Sequence, residues 1–183
     1  MTVNKVLFLV DNTSSADPTA AAFIEEVQKA RPQDEIQTVT YMIKPRLREG
    51  KLNFSPSKNS KGRATYDNVY AAIKALGDEL SLAEQQPEHV VLVVMPFSTD
   101  NSSKEDIGKI HEAINMQRYI YKWSIVAIGK NAIQSGYDLG LQDHLILPAL
   151  RVSDKTGAFI RFLSDLEDYG DAGFFYPEGD WKE

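Results

Sequence analysis

The sequence predicts an α/β fold: a doubly wound, mainly parallel sheet with helices on both faces and one antiparallel edge strand. Three observations predict it. Short apolar, β-type runs alternate with stretches of helical period along nearly the whole chain, the pattern of βαβ units. The run His89 to Met95 is continuously apolar after its histidine, as in a central strand covered on both faces. The second and third strand patterns are joined too tightly for a crossover helix, so they pair as antiparallel neighbours at an edge.

The elements follow in order. Val6 to Val10 is a buried first strand. Asp17-Pro18 then supplies a cap and a first helical position. Ala20, Phe23, Ile24, Val27 and Ala30 recur at three and four, one face of a helix that stops before Pro32. Ile36 to Ile43, rich in β-branched residues, is a second strand. Leu47 to Phe54 is the short third strand, and Pro45 with five nearby charged residues suits an edge. A helix runs from about Tyr66 to Leu82, with Thr65 as its expected cap. His89 to Met95 is the central strand, followed by a helix from Lys104 to about Tyr119 and a strand from Trp123 to Ile128. Asn131 to Leu141, interrupted by Gly136 and Gly140, holds at most a short helix. His144 to Pro148 is a brief final strand, and Thr156 to Tyr169 a final helix terminated by Gly170. The reading is one α/β domain over residues 1–170 and a tail, 171–183, with Phe174, Phe175, Tyr176 and Trp181 set among glycines and acids.

Composition narrows the function classes. A chain of 183 residues with 43% hydrophobic and 25% charged residues can bury one sizeable core. The net charge of -6 and a pI near 5.1 argue against nucleic acid, whose phosphates call for a basic surface. The absence of cysteine excludes disulfides, thiolate metal sites and cysteine nucleophiles. No apolar run approaches membrane-spanning length, and the start of the chain leads into a strand rather than a signal-peptide core, so a cytoplasmic setting is the default expectation.

An open parallel sheet binds its ligands in the crevice at the carboxyl ends of the strands. Three oxygen-rich segments fall there: Asp11-Asn12-Thr13-Ser14-Ser15 after the first strand, Gly62 to Thr65 before the second long helix, and Ser98 to Asp100 after the central strand. Carboxylates and hydroxyls of this kind suit a hard divalent cation. The plain alternative for the first segment is a polar turn with Asp17 capping the next helix.

Asp11-Asn12-Thr13-Ser14-Ser15 resembles the Asp-x-Ser-x-Ser motif of von Willebrand factor A (vWA) domains, which opens their metal-ion-dependent adhesion site, or MIDAS. Gly62-Arg63-Ala64-Thr65 resembles the second element of that site, Val91 to Phe97 the strand that ends in Thr-Asp-Gly, and Trp123 to Gly129 the strand with an Ile-Gly end. Together the resemblances span about residues 3 to 169 in the order the family requires. They imply a Rossmann-like vWA fold in which Thr13, Ser15 and Thr65 place hydroxyls on Mg²⁺ (or Mn²⁺ or Ca²⁺) and Asp11 supplies charge directly or through water. Met95-Pro96-Phe97 stands where the family has Thr-Asp-Gly, and Asp100 would substitute if its loop folds back.

The implied function is binding: the cation keeps one position for a carboxylate of a partner protein, and no enzyme activity is expected. The aromatic tail is a second contact region, against the reading that it covers the domain's own core edge. His89, His111 and His144 stand beside no candidate nucleophile and read as structural. Two alternatives stay open. One is a metal-free vWA-like interaction module. The other is an α/β phosphate-handling enzyme of flavodoxin-like or haloacid-dehalogenase-like type, which a loop without glycine and with Thr13 in place of a second aspartate fits poorly.

Overall fold

A computed structural model describes residues 4–11, 18–41, 47–48, 51–52, 64–148 and 151–170. Lys5–Asp11 forms β1, Pro18–Ala30 α1, Glu35–Tyr41 β2, Leu47–Arg48 β3 and Lys51–Leu52 β4. Thr65–Ser81 forms α2, Val90–Met95 β5, Ile107–Tyr119 α3, Ser124–Gly129 β6, Ala132–Asp138 α4, Ile146–Pro148 β7 and Val152–Tyr169 α5, with a 3₁₀ turn at Asp143–Leu145.

Five strands make one sheet in the order β2-β1-β5-β6-β7, and every pairing in it is parallel. The central strands are the ones that the apolar runs marked. All six residues of β5 are buried, as are six of the seven in β1. β2 lies at the rim and is half exposed, with Val39 and Tyr41 turned inward. After β1 the chain crosses to β2 on one side and returns to β5 on the other, so the strand order reverses at β1. A crevice opens at the carboxyl end of such a reversal.

The helices close both faces. Phe8 of β1 meets Phe23 of α1 edge to face at 5.8 Å between ring centroids and Phe159 of α5 at 5.5 Å. Phe159 in turn stacks on Phe162. This buried aromatic group joins α1 and α5 over one side of β1, while α2 packs with α3. Gly136 of α4 is small for a steric reason: a Cβ there would lie 2.6 Å from Ile146 Cδ1, so glycine lets α4 settle on β7.

Two boundaries depart from expectation with clear causes. α3 begins at Ile107, not Lys104, because the Asp106 side chain accepts the Gly108 amide as a cap. α5 begins at Val152, four residues earlier than the apolar pattern suggested. The antiparallel edge strand expected over 47–54 is not part of the five-stranded sheet among the described residues. Instead, β3 and β4 pair with each other, Leu47 opposite Leu52 and Arg48 opposite Lys51, as a separate two-stranded ladder.

Candidate functional site at the carboxyl ends of the strands

β1 ends in Asp11, which is 2% exposed. Its Oδ2 accepts the Phe97 and Ser98 backbone amides at 3.2 and 3.3 Å and the Ser98 hydroxyl at 3.4 Å. The first strand is thereby tied to the loop that leaves β5. Asp11 also pairs in register with Tyr41, the last residue of β2. The buried Tyr41 hydroxyl lies 2.9 Å from Thr65 Oγ1, which links β2 to the start of α2.

Thr65 is the first residue of α2 and does not cap it; the N-cap is Ala64, whose side chain accepts nothing. The cap comes from across the fold. Asp100 Oδ2 accepts the Tyr66 amide at 2.9 Å, and the Ser103 hydroxyl accepts the Asp67 amide at 3.0 Å. The exchange is reciprocal, since the Asp67 carboxylate accepts the Lys104 and Glu105 amides, each at 2.9 Å. Asp100 is occupied on both oxygens, because Oδ1 takes the Ser102 and Ser103 amides at 3.1 and 3.0 Å. A negative charge at a helix N-terminus is also favourable toward the helix dipole. Burial raises the Tyr66 phenol well above its ordinary range, reinforced by the bond it donates to Asp138 and by the Asp138 and Asp100 charges.

Three of the five expected ligands are described, and Asp11, Thr65 and Asp100 do meet at one end of the sheet. Thr13 and Ser15 lie outside the described residues. Asp100 folds back onto the start of α2, and Thr65 is engaged by Tyr41. No cluster of three acidic or imidazole side chains able to hold a metal occurs among the described residues. A small cavity of about 30 Å³ lies beside Asp11, walled by Met95, Phe97, Lys130 and Lys155 among others. Lys155, 1% exposed, lines this cavity together with the buried Asp11. The oxygen chemistry of the donor set suits a divalent cation, and the cavity beside its one carboxylate is lined by two lysines, Lys130 and Lys155.

Sequence reasoning missed Tyr41, Asp67, Ser103 and Lys155. Lys155 left a signal, because it stands three residues after Val152 and four before Phe159, on the register of the apolar face of α5. His89 and His144 lie just before β5 and β7, at the opposite ends of those strands, and His111 Nε2 is engaged by the Asp138 carbonyl at 2.7 Å. A larger groove of about 730 Å³ also lies at the amino end of β5 and β6, between Leu80, Met116, Tyr121 and Trp123. It touches none of the three loops.

No protein-family model and no curated protein match the chain. Among solved structures it is similar to proximal thread matrix protein 1 from the mussel byssus, described with a zinc-occupied MIDAS motif. The TM-score is 0.59 at 10% identity, over 91% of this chain and 48% of that one. A second crystal form of the mussel protein matches equally well, with a TM-score of 0.59. This chain thus spans about half the length of the matched protein. The likeness is one of fold, and at that level it bears out the resemblance to vWA domains.

Proposed function

We propose that this chain is a non-enzymatic, protein-binding module whose contact face is the carboxyl end of the sheet. The observation that carries the proposal is the joining of three loops there, through Asp11 to Phe97 and Ser98, Tyr41 to Thr65, and Asp100 to Tyr66. A face cross-braced in this way is preorganised, and preorganisation reduces the ordering cost of binding. Thr99 and Lys130 are exposed on it, with Lys130 Nζ 4.7 Å above the Phe97 ring. A cation beside an aromatic ring at the rim suits an acidic side chain of the partner. The vWA-like fold of the mussel matrix protein supports an interaction role in place of catalysis.

The test is capture of binding partners by the wild-type chain, a Thr99→Arg/Lys130→Glu variant and a Glu84→Lys control far from the three loops. Loss of the same bound protein in the first variant alone is the expected result. Equal capture by all three places the contact elsewhere.

A second reading adds a divalent cation, Mg²⁺ or a relative, held by Asp11, Thr13, Ser15, Thr65 and Asp100 and completed by a partner carboxylate. Its support is the zinc-occupied motif of the mussel protein together with the hydroxyl pattern of residues 11–15. It predicts that millimolar metal raises the melting temperature of the wild-type chain and that Asp11→Ala abolishes the rise.

A further inference from the structure

The groove of about 730 Å³ lies at the end of the sheet opposite the three loops, where α2 and α3 finish and β5 and β6 begin. Clefts of that volume hold bodies as large as a drug molecule. The exposed apolar surface of the domain collects at the same end. Nine large apolar side chains are exposed among the described residues, and six of them, Leu82, Met116, Tyr119, Ile120, Tyr121 and Tyr169, stand on or just beyond the last turns of α2, α3 and α5. Scattered singly, such residues need no explanation; gathered beside one groove, they mark a surface that another body covers.

The position of Gly170 says which body. It ends α5 at φ +84° and itself borders the groove, so residues 171–183 leave the described domain at the groove's rim. They carry Phe174, Phe175, Tyr176 and Trp181. Phe174 is the fourth residue past Gly170, and even a fully extended chain sets it no more than about 14 Å from the rim. A segment tethered so close reaches an effective concentration of order millimolar, which an untethered partner rarely matches. Each ring that leaves water hides about 150–250 Å². We propose that the groove is the seat of the chain's own residues 171–183, with the rings of Phe174, Phe175 and Tyr176 held against Met116, Tyr121 and Trp123. The protein-binding face proposed above lies at the opposite end of the sheet and does not depend on this seat.

The test is limited digestion of the full chain by chymotrypsin, which cuts after aromatic residues, with the products weighed by mass spectrometry. Cleavage after residues 174–176 should run about tenfold slower in wild type than in Met116→Glu, which sets a charge into the apolar wall at a half-exposed position. A synthetic peptide of residues 171–183 gives the rate for an unseated segment. Cleavage of wild type at the peptide's rate overturns the proposal, and this comparison decides alone if Met116→Glu does not fold. A second variant, Phe174→Ser/Phe175→Ser/Tyr176→Ser, leaves every described residue unchanged. It should empty the groove and bind a hydrophobic fluorescent dye with emission several-fold above wild type; emission equal to wild type overturns the proposal. Protection that disappears on dilution also overturns it, because the groove then holds the segment of a second copy. None of these readings uses a partner protein, so their outcome is separate from that of the capture experiment.

Discussion

Asp100 stands beside the right neighbours for a different reason from the one its place in the sequence suggested. A carboxylate after a central strand is legible as a candidate ligand, because chain order alone puts that loop at the carboxyl end of the sheet. What its oxygens bond to is not legible, since that depends on a return of the loop onto α2 that no local spacing encodes. As a cap, Asp100 should contribute to stability in metal-free buffer. Replacing it with alanine should cost about 1–2 kcal/mol in urea unfolding, with asparagine costing less because it retains an acceptor. An unchanged midpoint without metal would return Asp100 to the role of ligand. Glu167 gives a second residue-level expectation. Its bond with Arg31 holds its carboxyl below the usual range, although partial burial opposes the shift. A depressed folded value means that its contribution is complete above the unfolded carboxyl range and fades as pH falls through the folded one. Between about pH 5 and pH 3 the wild type should therefore lose stability more steeply than Glu167→Gln.

At the scale of elements, the apolar runs and helical periods located the five strands of the sheet and the helices to within a few residues, because burial sets both periods. Boundaries set by long-range bonds were not legible. The amides of Lys104 and Glu105 are held by Asp67 from another helix, so they join the α2 cap and leave α3 to begin after Asp106. Nor was the start of α5: Lys155 is a charged residue on an apolar register, and a reading by hydrophobicity begins the helix after it. The mutual capping of α2 and the loop before α3 predicts a local effect. Asp67→Ala should raise amide hydrogen exchange at Lys104 and Glu105 at least tenfold while leaving β5 amides protected, because loops open without global unfolding. Equal acceleration in β5 would show that the brace supports the whole domain.

For the whole molecule, chain order sufficed to bring the three loops to one end of a parallel sheet, since short crossovers leave few topologies open. It could not show that Lys155, on a helix more than 140 positions from Asp11, lines the same small cavity. The same helix bears on the boundary drawn at residue 170. Phe159, Phe162, Leu163 and Leu166 of α5 are buried, and Phe159 meets the rings of Phe8 and Phe23, so the far end of the chain helps to form the first strand's surroundings. Removing a ring from that group, as in Phe159→Ala, should cost about 3–5 kcal/mol. Beyond Tyr169 the Gly170 amide closes on the Leu166 carbonyl at 3.0 Å and ends the helix. Phe174, Phe175, Tyr176 and Trp181 lie outside the described residues, and Gly170 itself borders the groove at the amino end of the sheet. A chain stopped after Gly170 should keep a single cooperative unfolding transition within a few degrees of full length, measured by calorimetry, if those aromatics serve a partner. Loss of cooperativity would instead make the tail part of the domain's own cover.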